Sequence, residues 1–144
     1  MKYILFIAIS ILAQTWVLSQ ACYMDAAWGT PPDKWKYLHY QSLEDDGSVI
    51  FYTDPLPTDE PESTKFMTFK QNELVEVSII HDGTYRFPKL YKQVVETFGQ
   101  PVVNEPLVNG TTKFHWFVGN TQIAIGSWGD RVMLQYQPIE MPRP

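Results

Sequence analysis

One cysteine, Cys22, is all the chain contains, so no disulfide can close within it. An exported domain of this kind would depend on its core alone for stability. Positive charge is scarce in one region. No Lys or Arg lies between Lys36 and Lys65, a stretch holding Glu44, Asp45, Asp46, Asp54, Asp59, Glu60 and Glu62. The three histidines, His39, His81 and His115, fall on three different expected strands. They lack the short local spacing of zinc sites, so no metal is expected, and no cofactor. A phosphate loop, a dinucleotide fingerprint, a metalloprotease helix and a nucleophile elbow are also missing.

What is there begins with a leader. Met1-Lys2 supplies one positive charge, and Tyr3 to Ala13 is an apolar run. Gln14 and Thr15 interrupt it before Trp16-Val17-Leu18, and Ser19-Gln20-Ala21-Cys22 follows. A short basic start, an apolar stretch and small residues at alternate positions form a secretory signal cut before Cys22. The alternative is a retained anchor helix, against which stands the lack of a second hydrophobic segment or a basic cluster after it.

The only cysteine sits at the expected cut. In this spacing the segment resembles a bacterial lipoprotein signal, with Leu18 one step further back than the aliphatic residue of that pattern. The resemblance covers about the first 22 residues and implies that Cys22 is a lipidation candidate. Acyl chains there would hold the domain on a membrane surface, the only membrane contact expected. Ordinary secretion fits the same leader, so the expected location is periplasmic, outer-envelope anchored or secreted.

Removal of residues 1–21 leaves 123, enough for one domain with a real core. Lys2 is the only leader charge, so the mature part has 10 basic against 16 acidic residues, a net charge of −6. That balance excludes nucleic acid, whose phosphates need a basic surface. It favours a basic protein as partner, although solubility alone also explains it.

Residues 22–34, with Pro31 and Pro32, read as a flexible tether. Hairpins are expected at Trp35–Ser42 with Ser48–Thr53, joined by Asp46-Gly47, and at Lys65–Lys70 with Leu74–His81. In the last of these, Val75, Val77 and Ile79 alternate with polar residues as one buried face. Pro55, Pro57 and Pro61 make the stretch between the hairpins an exposed loop.

Phe87, Leu90, Tyr91, Val94 and Phe98 form one helical stripe over 87–98. Pro88 suits its first turn, and Gly99 with Pro101 ends it. Lys113–Val118, Thr121–Trp128 and Arg131–Gln137 are three further strands, linked by Gly119-Asn120 and Gly129-Asp130. Asn109-Gly110-Thr111 fits both a glycosylation acceptor and a hairpin turn. The fold expected is α+β: an antiparallel sheet of about seven strands, four before and three after one amphipathic helix packed on one face. The single domain spans 35–138, and 139–144 is a Pro-rich tail.

Function follows less directly. The chemistry points to an exported, non-enzymatic binding protein of the cell envelope, of the inhibitor or immunity type, for a basic partner. Glu44, Asp45 and Asp46 are the candidate acidic docking residues, with a solvated turn as their plainer role. Trp128, beside Gly126 and Gly129, is the candidate exposed aromatic, whereas Trp116 shares a face with Phe114 and Val118 and reads as core. Two alternatives are a structural lipoprotein of an envelope assembly and a small hydrolase using His81 or His115.

Overall fold

The structure, a computed structural model, describes residues 28–35, 38–55 and 62–139. The leader, Cys22, Asp59, Glu60 and most of the Pro-rich tail lie outside the described residues.

Most strands form where β-branched and aromatic residues alternate with polar ones, and Gly, Asn or Asp residues mark the tight turns between them. The strands before the helix are β1 (Leu38–Leu43), β2 (Val49–Thr53), β3 (Ser63–Lys70) and β4 (Glu73–Asp82). Helix α1 (Phe87–Phe98) follows a short 3-10 turn at Thr84–Arg86. After it come β5 (Val103–Pro106), β6 (Thr112–Val118), β7 (Thr121–Trp128) and β8 (Arg131–Pro138). The sheet thus has eight strands rather than about seven, four on each side of the helix. The additional one is β5. An edge strand pairs on one side only, so it tolerates Pro106, which cannot donate to a ladder.

All pairings are antiparallel, in the order β1-β2-β3-β4-β8-β7-β6-β5. Two four-stranded meanders therefore meet at β4 and β8, each running inward from an edge strand, β1 or β5, to that seam. Among the described residues, short connections join β1 to β2, β3 to β4, β5 to β6, β6 to β7 and β7 to β8. The β3–β4 turn uses Gln71 and Asn72, both at positive φ. Gln71 and Asn72 close that hairpin as a two-residue turn, and Asn tolerates the left-handed region well.

One face of the sheet carries an unbroken apolar row through direct cross-strand partners: Tyr40, Phe51, Met67, Val77, Tyr136, Ile123 and Trp116. Val77 and Ile123 are fully buried, and each contributes about 1.5–3 kcal/mol relative to exposure. Leu90 and Val94 of α1 belong to the same buried cluster. The ring of Tyr91 lies 4.9 Å from Phe114 and 6.1 Å from Trp116.

The expected alternation of Val75, Val77 and Ile79 is interrupted. Thr68 pairs with Glu76, but Phe69 pairs with Leu74. Val75 is the extra residue of a β-bulge, which shifts the frame by one. Leu74 and Val77 are the buried pair, and Val75 is half-buried.

Residues 28–34 fall in the stretch read from sequence as a tether. The amide of Gly29 donates to the Leu74 carbonyl at 3.1 Å, and the Leu74 amide donates to the Thr30 carbonyl at 3.1 Å. The Trp28 indole Nε1 donates to Thr121 Oγ1 at 2.8 Å. Trp28 and Trp35 both pack against the core.

Candidate functional site

The opposite face of the sheet is chemically different. Through direct cross-strand partners it presents His39, Tyr52, Phe66, Ser78, Gln135, Ala124, His115 and Val103, one residue from each of the eight strands. The pleat puts these residues opposite the core row, because neighbours along a strand point to opposite faces.

The centre of this second face is a set of cross-strand polar links. His115 on β6 is only 7% exposed. Gln122 Nε2 donates to its Nδ1 at 3.0 Å, which leaves Nε2 to donate to Glu105 Oε2 at 2.7 Å. Lys113 Nζ donates to Gln135 Oε1 at 3.2 Å, spanning from β6 across β7 to β8. That crossing needs small residues on β7, and Ala124 and Gly126 supply them. A β-carbon at Gly126 would sit 3.4 Å from the Lys113 side chain. Further along, Gln137 Nε2 donates to Glu76 Oε2 at 2.7 Å, and Ser78 Oγ donates to Glu76 Oε1 at 2.6 Å. Every charged group here is held by a neighbour of the same face.

Exposed aromatics stand at both ends of β7. Trp128 ends that strand at 63% exposure, and Phe117, the direct partner of Gln122, is 47% exposed. On the outer strands, His39 stacks on Tyr52 at 5.0 Å and its Nε2 meets Asp54 Oδ1 at 2.9 Å.

The acidic residues singled out from sequence lie elsewhere. Glu44, Asp45 and Asp46 are all exposed in the β1–β2 turn. That turn is at the end of the sheet where β7 begins, whereas Trp128 is at the end where β7 finishes. A strand of eight residues separates the two ends by roughly 27 Å. The structure does not bring the acids and Trp128 together. Asp46 is committed to its own turn: it accepts from the Ser48 amide at 3.0 Å and from the Ser48 hydroxyl, and Lys70 Nζ lies 3.6 Å away. The Ser48 hydroxyl, then its amide, hold the Asp46 carboxyl below the usual range. Glu44 accepts from Ser42 Oγ at 2.6 Å. Cys22, the lipidation candidate, is outside the described residues.

At the Trp128 end, Asp82 pairs with Arg131 at 3.2 Å and Glu62 with Arg86 at 2.9 Å. The Glu62 carboxylate pushes the Arg86 guanidinium up from its ordinary value. Among the described residues, no group of three His, Cys, Asp or Glu could hold a metal ion. No helix among them is long and apolar enough to cross a membrane.

Sequence reasoning missed Gln122, Gln135 and Gln137. Their signal was available: each alternates with a buried residue, Ile123, Leu134 or Tyr136, on strands already recognised. The Glu105–His115 link could not be anticipated without β5.

No family model, no curated protein and no solved structure matches this chain.

Proposed function

We propose that the chain is an exported, non-enzymatic binding protein of the cell envelope, and that the second face of its sheet is the binding surface. The reading takes helix α1 to cover the first face with its apolar stripe, leaving the second free for a partner. One observation carries it: polar side chains on five adjacent strands, β4 to β8, are bonded to each other across this face, from Glu76 through Gln137, Gln135, Lys113, Gln122 and His115 to Glu105. Locked side chains lose little entropy on binding, which favours recognition.

The bonding of His115 supports binding over catalysis on this face. A general base must turn a ring nitrogen to its substrate. Both nitrogens of His115 are taken, by Glu105 and Gln122. Export rests on the leader and the small residues before Cys22.

The test is position-dependent cross-linking in the host. A photo-reactive residue is placed at Thr68 or Gln135 on the second face, or at Lys92 on α1. Cross-links to one envelope component from the first two positions and not from Lys92 support the reading. Equal yields from all three, or none, overturn it.

A further inference from the structure

We infer that the second face carries a binding site for a neutral, polyhydroxylated ligand, a linear glycan, laid along β7 between Phe117 and Trp128. The inference rests on the reading of that face as a binding surface and names its ligand class.

The argument starts from unused hydrogen-bonding capacity. A glutamine amide has two donor hydrogens and a carbonyl that accepts twice. Gln122 spends its nitrogen on His115, leaving its carbonyl oxygen. Gln137 spends its nitrogen on Glu76, leaving its carbonyl oxygen. Gln135 spends its oxygen on Lys113, leaving its amide nitrogen to donate. All three are half-buried on adjacent strands, and Gln122 and Gln137 are direct partners across the β7–β8 pair. The unused groups are therefore two acceptors side by side, on Gln122 and Gln137, with the Gln135 donor two residues along β8, each side chain held by a bond to a charged or imidazole group. A sugar hydroxyl both donates and accepts, so a row of hydroxyls complements such an array.

Charge selects against ionic ligands. Glu105, Glu76 and Lys113 are each bonded to neighbours on the same face. Two carboxylates and an ammonium lie within one network, so an ion of either sign meets a like charge beside its counter-charge and loses water there, a cost a neutral ligand avoids. The aromatics complete the match. Trp128 and Phe117, exposed at opposite ends of β7, offer flat apolar surfaces to the apolar faces of pyranose rings. Ala124 and Gly126 keep the strand between them low enough for the Lys113 side chain to lie flat across it, so a chain on this face passes over Lys113 without meeting a bulkier side chain of β7.

Affinity electrophoresis of the full chain, as its host processes it, tests this in native gels containing hydroxyethyl cellulose, laminarin, mannan or dextran. Retardation by at least one of these neutral glycans is expected. Trp128→Ala and Gln135→Ala should each weaken it by about tenfold, the effect of losing one well-placed contact. Lys92→Ala should leave it unchanged. Urea midpoints equal to that of the parent show that the variants are folded. Retardation that survives both substitutions overturns the inference, as does no retardation by any of the four. If glycans fail while cross-linking from Thr68 and Gln135 stands, the ligand class falls and the binding face remains. If cross-linking fails as well, both fall.

Discussion

The indole Nε1 of Trp116 donates to the carbonyl of Gly99 at 2.8 Å. This bond ties the C-terminal cap of α1 to the centre of β6. Trp116 is 1% exposed, at the end of the apolar row and beside Tyr91. Trp116→Phe keeps an aromatic ring but removes the bond and leaves a gap. A loss of about 2 kcal/mol is expected, and about 3–5 kcal/mol for Trp116→Ala. Urea unfolding measures both, as shifts in midpoint at unchanged slope.

Gly83 and Gly126 should respond in opposite directions to alanine. Gly83 has φ +93, and a β-carbon there would lie 2.3 Å from the Tyr85 ring. Gly83→Ala should cost about 1–2 kcal/mol, chiefly from backbone strain, since exposed Tyr85 can swing aside. Gly126 is in a strand without positive φ, and its β-carbon meets Lys113 at ordinary contact distance. Gly126→Ala should gain about 0.5 kcal/mol by restricting the unfolded chain. Thermal melts of the two variants separate the cases, and equal losses would contradict this account of Gly126.

These two glycines also mark what sequence could and could not convey. Helix α1 was legible residue by residue, because its stripe and its Gly99-Pro101 stop are local signals. The β6–β7 and β7–β8 hairpins were legible for the same reason. The β4–β8 seam was not, since nothing local says that Ile79 faces Leu134 across 55 positions of chain. The bulge at Val75 was hidden as well: Leu74 and Val77 share a face only because of the partner strand. The polar links of the second face depend on both facts. They became visible only once Gln135 could be placed beside Ser78 on one side and Ala124 on the other.

The Trp28–Thr121 bond ties Trp28 and the described residues next to it to the folded unit. Thr121 is fully buried, and Trp28 is its partner across 93 residues. Trp28→Phe and Thr121→Val should each cost about 1–2 kcal/mol, since each removes one partner of a sheltered bond. The double variant should cost less than the sum, with a coupling of about 1 kcal/mol. A coupling of zero would mean that the Trp28–Thr121 bond adds nothing to stability.

Asp46 gives the fold a defined acid response. Its carboxylate accepts from Ser48 twice, and these bonds lower its pKa from the ordinary 3.8. A group with a depressed folded value adds stability above its unfolded value and loses it as pH falls through the folded one. Asp46→Asn should therefore be less stable than the parent at neutral pH. The difference should shrink only below pH 3.8, where the parent carboxyl becomes neutral as well. Urea midpoints of both proteins between pH 7 and pH 3 test this. A difference that closes well above that value would mean that the Ser48 bonds do not favour the ionised form. Since this carboxylate already serves its own turn, partner capture should be tested at Glu44 and Asp45 instead, where a lost contact would not first unsettle the hairpin.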